Sequence, residues 1–405
     1  MKKSTILLVH NEYQNPGGED VVFEQERALL ENHGHSVPVY WRSNHEIAKL
    51  TQLGRAALPV RAVWAGDSRR EMALLLAREK PDVVHVHNTF MMISPSIFSA
   101  CREAKVPVVQ TLHNYRLACP AANFFRDGKV CEECVEFGPW RSLRYACYRG
   151  SRAATAGSAL VLEVHRRLRT WTEKVDGFIA LAEFARQRFI AAGLPAERIH
   201  VKPNFVDPDP GAAVEKGDYA ISVGRFSTEK GLWTLLAAWQ LLGMSIPLHI
   251  VGDGPLRGEL EREAGKRGLT DVVFRGRLSR GETAEEMRRA RVLIHPSECY
   301  ENFPMAIAEA FACATPVICS RLGAMQEIVT DGQTGLLFAP GDPVDLARQV
   351  RHLWERPPLR EDMGRRARLE YKARYTAEQN YSRLMEIYAA AAARTMARQF
   401  AAATA

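Results

Sequence analysis

The chain reads as two doubly wound α/β domains, and three observations say so. Short β-branched runs alternate with helical patterns along most of its 405 residues, the signature of parallel strands with helices between them. The strand series then restarts near Tyr219. Between the two series lies Pro203-Asn204-Phe205-Val206-Asp207-Pro208-Asp209-Pro210, whose three prolines and missing period mark a linker. Open sheets of this kind take ligands at the carboxyl ends of their strands, so two facing domains imply a cleft between them.

In the first series the strands are expected at Thr5–Val9, Ser36–Tyr40, Asp82–His87, Val106–Leu112 and Gly177–Leu181, with helical patterns such as Val21–His33 and Ser94–Ala104 between them. The second series reads Tyr219–Val223, Pro247–Val251, Val272–Arg275, Val292–His295 and Pro316–Cys319. The expected division is a first domain over residues 1–206, with a cysteine-rich insertion at about 115–150, and a second over 207–375. The alanine-rich segment 376–405 is expected to be a helical tail that packs back on the first domain.

Composition narrows the class. Hydrophobic residues make up 46% and charged residues 25%, which suits a soluble globular chain and excludes a disordered one. No 18 apolar residues follow one another, so a spanning helix is not expected. The apolar run after Met1-Lys2-Lys3-Ser4 is too short for an export signal. Eight cysteines without such a signal are expected to stay reduced, in a protein of the cytoplasm or the inner face of a membrane.

The net charge of +7 is uneven. Residues 1–205 hold 28 Lys and Arg against 21 Asp and Glu, whereas residues 206–405 hold 26 of each. The surplus is densest where Arg141, Arg144, Arg149, Arg152, Arg166, Arg167 and Arg169 meet the single acid Glu163. Such a stretch suits an anionic membrane surface, a diphosphate or nucleic acid, and a solvated helix face is the simpler alternative.

Three segments of the second domain carry chemistry. The strand ending Val223-Gly224 runs into Arg225-Phe226-Ser227-Thr228-Glu229-Lys230-Gly231 before a helical pattern. Two cations five residues apart in such a loop can converge on one polyanion, with the helix N-terminus adding donors, although an ordinary surface Arg and Lys would look the same. The next strand ends in Gly252-Asp253-Gly254, where glycines allow a close ligand approach or simply a turn. The third segment is Glu301-Asn302-Phe303-Pro304-Met305-Ala306-Ile307-Ala308-Glu309. Pro304 suits a first helical turn. Glu309 then sits among apolar neighbours and needs donors such as ligand hydroxyls, a cap or internal ion pair being the alternative.

Together and in this order, these motifs resemble glycosyltransferase family 4. Gly17-Gly18 in a glycine-rich first loop, Thr111-Leu112-His113 at a strand end, Ala314-Thr315-Pro316-Val317-Ile318 and Asp331-Gly332-Gln333-Thr334-Gly335 extend the resemblance over most of the chain. The resemblance implies a retaining, nucleotide-sugar-dependent hexosyltransferase with two Rossmann-like domains in the GT-B architecture. It implies that Arg225 and Lys230 hold the donor diphosphate and that Glu309 takes the ribose hydroxyls. Glu301 would bind the donor sugar, helped by Asn302 and the backbone of Phe303 and Met305, with Gly252 and Asp253 in the same donor site. The backbone near Arg277 and Leu278 would touch the base. His113 would stand beside the sugar, with Gly17 and Gly18 letting the first loop approach it. Where many members have glycine this chain has Pro304, which removes one backbone donor.

The implied acceptor is a glycan or a lipid-linked precursor of an exopolysaccharide or envelope polysaccharide, and the charge surplus of the first half suits an anionic membrane surface. No catalytic metal is expected, since Arg225 and Lys230 supply the positive charge. Asp207-Pro208-Asp209 has the spacing of a metal-binding pair but falls in the linker. Cys119, Cys131, Cys134 and Cys147 lie within 29 residues, and the Cys131-Glu132-Glu133-Cys134 gap is that of a zinc knuckle. A structural zinc is expected there, with buried thiols or a redox pair as alternatives, while Cys101, Cys313 and Cys319 read as core fillers. An epimerase or phosphorylase of the same architecture is the enzymatic alternative. A nucleic-acid-binding module would leave Arg225, Lys230, Glu301 and Glu309 unexplained.

Overall fold

The structure is a computed structural model that describes residues 3–14, 17–243 and 245–404. It divides into two compact units. One comprises Met1–Phe124, Cys131–Lys202 and Asn380–Ala405, the other Phe125–Val130 and Pro203–Gln379.

The strands of the first half are β1 (Ile6–Glu12), β2 (Val39–Ser43), β3 (Val83–Val86), β4 (Val108–Thr111), the two-residue hairpin partners β5 (Phe125–Arg126) and β6 (Lys129–Val130), β7 (Gly177–Ala180) and β8 (Ile199–Val201). A parallel sheet runs in the order β2-β1-β3-β4-β7-β8. Helices cover both faces of such a sheet, so its central strands can be apolar throughout. Ile6, Leu7, Leu8 and Val9 are accordingly all fully buried. The helix Gly18–Asn32 buries Val22, Phe23, Glu26, Leu29 and Leu30, a helical stripe that contains one acid.

The second half holds β9 (Ala220–Val223), β10 (Leu248–Val251), β11 (Val272–Gly276), β12 (Val292–His295), β13 (Val317–Ser320) and β14 (Gly335–Phe338). Their order is β11-β10-β9-β12-β13-β14, again all parallel. Strand order reverses between β9 and β12, and a ligand site belongs in the crevice beyond their carboxyl ends. Phe226, Leu235, Leu236, Ile250, Ile294 and Phe338 pack in the core of this unit.

The α/β class and both sheets agree with the sequence, and strand ends shift by at most three residues, with Val292–His295 unchanged. Two strands of the parallel sheets went unread, as did the short hairpin β5–β6. β8 is three residues long at a sheet edge, and β14 is leucine-rich behind the turn at Gly332. Pro304 is also not in the first helical turn as expected. It precedes the helix Met305–Ala312 with φ −76° and ψ 99°, extended backbone that sets the entry angle.

The C-terminal helix Ala377–Ala403 buries Asn380, Tyr381, Leu384, Ile387, Tyr388, Ala391 and Thr395 along one stripe. Its polar side chains reach into the first unit. The Tyr381 and Tyr388 hydroxyls lie 2.9 Å from His35 Nε2 and 2.8 Å from His85 Nδ1, and Asn380 Oδ1 accepts from Lys202 at 3.1 Å. Among the described residues no helix is long and apolar enough to cross a membrane.

Candidate active site

In the second unit the chemistry gathers on the loops that follow β9 and β12. The loop after β9 carries Arg225 and Lys230, and the loop after β12 carries Glu301. Backbone contacts too close for any side chain lock these loops together. A Cβ on Gly231, whose φ is +66°, would lie 2.0 Å from the Pro296 carbonyl oxygen. One on Gly252, φ +136°, would lie 1.9 Å from the Gly224 carbonyl oxygen. For Gly252 and Gly254 the sequence left a close ligand approach or a simple turn open. Here they make room for the β9 loop, since a Cβ on Gly254 would meet Phe226 backbone at 2.5 Å.

This interlock sets Lys230 Nζ 2.5 Å from Glu301 Oε1. The same oxygen accepts from Ser297 Oγ at 2.7 Å and has His295 Nε2 at 3.4 Å. Both partners are largely buried, with side chains 25% and 13% exposed. Burial alone would push the Glu301 carboxyl up, yet the Lys230 ammonium beside it, with His295, holds it well below the usual carboxylate range. Burial likewise works against the Lys230 ammonium, and Glu301 more than offsets this, keeping it above an ordinary lysine.

Arg225 behaves differently. Its side chain is exposed and, among the described residues, meets no hydrogen-bond or ion-pair partner. Beside it a small open cavity is lined by Gly224, Arg225, Lys230, His295 and Pro296. Glu309 lies one turn inside the helix Met305–Ala312 and also lacks a partner among the described residues. Burial pushes its carboxyl up, opposed only by the charge of Arg280. Asn302 and Phe303 are buried at the mouth of that helix, and Met305 begins it. Asp253 is exposed, and its carboxylate accepts from the Gly254 N–H at 2.8 Å. Arg277 and Leu278 follow β11, just ahead of Ser279, which caps the helix Arg280–Arg289.

His295 and Ser297 went unread in the sequence, although both sit at the carboxyl end of a strand. Asp209 of the linker is accounted for by Arg368, which donates to both of its carboxylate oxygens at 2.6 Å.

In the first unit His113 follows β4 and lines an open pocket with His87, Asn88, Phe90, Arg116 and Trp171. Its Nε2 lies 2.9 Å from His87 Nδ1. The Arg116 guanidinium sits 4.0 Å over the Phe90 ring. Asn114 donates to Glu19 at 3.1 Å, and burial, then the charge of Asp20, pushes the Glu19 carboxyl up to about 8. Gly17 and Gly18 meet nothing within 4 Å of a built Cβ, so no described atom requires glycine there. Of these residues the sequence pointed to His113, Gly17 and Gly18 but not to His87, Arg116 or Glu19.

The four clustered cysteines lie around short elements of the insertion. Cys119 and Cys134 are buried, and Cys131 and Cys147 half-buried. Burial, then the charges of Cys119, Cys147 and Cys131, pushes the Cys134 thiol up to about 12. Among the described residues, however, the metal-competent side chains with donor atoms within 4.8 Å of one another are Glu26, His85 and His87. Cys101, Cys313 and Cys319 are fully buried.

The ion pair has a definite pH signature. The folded pKa of Glu301 lies below its unfolded value of about 4.3, so its stabilisation is complete above that value and is lost as pH falls toward the folded pKa. The folded pKa of Lys230 is raised, so its stabilisation is complete below about 10.4 and is lost as pH rises through the folded value. Denaturant unfolding of Glu301→Gln beside the parent should therefore show a constant deficit from about pH 5 to pH 9, shrinking below about pH 4. A deficit that grew under acid conditions would contradict the pairing.

Comparison with known proteins places this geometry in a family. The family model described as Glycosyltransferase Family 4 matches residues 16–210, and that described as Glycosyl transferases group 1 matches 206–370. An uncharacterized glycosyltransferase of Methanocaldococcus jannaschii is 33% identical over 175 residues, 43% of this chain and 49% of that protein. The D-rhamnosyltransferase WbpZ of Pseudomonas aeruginosa is 34% identical over 161 residues, 39% of this chain and 42% of that protein. The chain thus spans about half the length or less of these two relatives. The crystal structure of Anabaena HepE in complex with UDP superimposes with a TM-score of 0.68 at 18% identity, over 94% of this chain and 98% of that one. With the two family models meeting end to end over two doubly wound sheets, the chain belongs to glycosyltransferase family 4 and has the GT-B fold.

Proposed function

We propose that this protein is a retaining glycosyltransferase that moves a hexose from a uridine or guanosine diphosphate sugar to a glycan or lipid-linked acceptor. One observation carries the proposal: exposed, unpartnered Arg225 and the paired Lys230 line one cavity on locked loops at the reversal point of the second sheet. That arrangement suits a diphosphate. The UDP in the Anabaena neighbour is consistent with it.

The mechanism follows from charge. Breaking the bond between the anomeric carbon and the diphosphate oxygen leaves the electron pair on the diphosphate. Cations fixed in place before the reaction stabilise that developing charge without reorganisation, often the largest catalytic term. Arg225 and Lys230 would do this. The acceptor oxygen would bond the anomeric carbon on the same face, and its proton would pass to the departing diphosphate. Glu309 would accept from the ribose hydroxyls, which relieves the isolation of its carboxylate. Glu301, held ionised by Lys230, would accept from hydroxyls of the donor sugar.

Arg225→Ala and Lys230→Ala should each cut turnover by about 10²-fold in a donor-hydrolysis and transfer assay across a nucleotide-sugar panel. Glu309→Gln should mainly weaken UDP or GDP in a calorimetric titration, because a ribose contact already exists in the ground state. Near-normal activity of the Arg225→Ala, Lys230→Ala double variant would end the assignment.

A structural zinc on Cys119, Cys131, Cys134 and Cys147 belongs to the same proposal. Its support is the knuckle spacing, and the metal would staple a segment of short elements. Elemental analysis should find about one zinc per chain. Cys131→Ser should lose it and make residues 115–150 easier to cleave, with nucleotide affinity intact. Metal-free protein with an equally resistant segment would leave buried thiols only.

A further inference from the structure

Glu26, His85 and His87 form a buried cluster under the first-unit pocket, each bringing one donor atom within 4.8 Å of the others. A metal ion does not fit them. Glu26 already receives the Lys202 ammonium on Oε1. Both nitrogens of His85 are engaged, Nδ1 with the Tyr388 hydroxyl at 2.8 Å and Nε2 with the Thr111 hydroxyl at 2.7 Å. Two atoms are left over, Glu26 Oε2 and His87 Nε2. They lie 3.4 Å apart, and each is buried without a formed hydrogen bond among the described residues. On the opposite edge of its ring, His87 Nδ1 lies 2.9 Å from Nε2 of His113, with the two ring planes within 18° of each other.

These contacts decide where the protons sit. A neutral imidazole carries one N–H and one lone pair. Burial holds both His87 and His113 well below the ordinary histidine range, and the neighbouring His85, His10 and Lys202 add to this, so both rings are neutral. Lys202 supplies the cation that Glu26 needs, so neither ring is called on to protonate. A carboxylate beside His87 Nε2 favours the proton at that nitrogen, because the other tautomer would set a lone pair against a buried anion. His87 Nδ1 is then an acceptor, and the contact to His113 closes only if His113 donates from Nε2.

We propose that Glu26 and His87 are positioning residues that fix His113 as its Nε2–H tautomer, leaving Nδ1 as a permanent hydrogen-bond acceptor on the first-unit pocket wall. The consequence is a rule for what His113 can meet. A sugar or acceptor hydroxyl can donate to it, whereas a phosphate or carboxylate oxygen, which only accepts, cannot. The proposal rests on the reading of His113 as a group at the reacting sugar, and it adds that the contact there is a hydroxyl.

The test uses the full chain labelled with ¹⁵N-histidine, read by long-range ¹H–¹⁵N correlation at neutral pH. The expected result is a protonated Nε2 and an unprotonated Nδ1 at His113. His87→Phe removes the acceptor and should turn His113 into a tautomer mixture, lowering kcat by about 10²-fold while UDP affinity and donor KM hold. His87→Asn, whose side-chain oxygen can replace Nδ1 as acceptor, should restore the tautomer and most of kcat. A purely structural role would not produce that split between Phe and Asn. An Nδ1–H tautomer at His113 in the parent protein overturns the proposal, as does an unchanged tautomer and kcat in His87→Phe. If His87→Phe fails to fold, the parent spectrum alone still decides. Should His113→Ala retain full transfer activity, the placement of His113 at the sugar fails, while the tautomer measurement judges Glu26 and His87 separately.

Discussion

A single carbon atom added at Gly231 would lie 2.0 Å from the Pro296 carbonyl oxygen, and one added at Gly252 would lie 1.9 Å from that of Gly224. Three loops at the carboxyl end of the second sheet therefore touch backbone to backbone, and nothing larger than glycine fits at the contacts. Both glycines also have positive φ, which other residues adopt only with strain. The cation-bearing loop after β9 has little freedom to move away from the loop after β12. Lys230 precedes Gly231 directly, so this constraint brings its ammonium to Glu301.

The resulting ion pair is not a stability device in the ordinary sense. Two charges taken out of water lose hydration that their mutual attraction need not restore, so a buried pair is weak evidence of net stabilisation. It does ensure that two charged groups stay charged and stay put in a site that already excludes much water. Glu309 shows the opposite choice within the same unit. Its carboxylate has no partner among the described residues, and burial drives it toward the neutral form, so hydroxyl donors from a ligand would relieve that cost. Arg225, exposed beside the cavity and unpaired among the described residues, is the positive counterpart.

Residues that act through their own sequence neighbourhood were legible in the sequence. The run from Gly224 to Gly231 declared a loop between strand and helix, and Glu301 and Glu309 declared themselves by flanking and entering an apolar helix. The glycines were legible as tight points, though not as contacts between loops, because proximity between β9 and β10 is a property of the sheet. His295 and Ser297 owe their roles to reaching Glu301 from a strand end, while β8 has only three residues and β14 has no β-branched residue to announce it. Glu26 did leave a signal that was available and unread. It is the one acid on the stripe of Val22, Phe23, Leu29 and Leu30, and an acid on a buried stripe requires a partner. That partner, Lys202, lies 176 residues away, and no local pattern connects them.

The same long reach bears on how the first unit assembles. Its polar interior joins Glu26 from the first helix, His85 and His87 from the end of β3, Lys202 just beyond β8, and Asn380 with Tyr388 from the last helix. Until that last helix docks, His85 Nδ1 lacks its hydroxyl and Lys202 lacks one of its two acceptors, both at positions from which water is excluded. Contacts of such sequence separation form late and slowly, because loop closure must come before any reward. The strands of the first sheet can pair early on apolar contacts alone. Its buried polar groups cannot all be satisfied until the chain has passed through the whole second unit and returned, so the histidine pair beneath the pocket becomes fully ordered only in the complete fold.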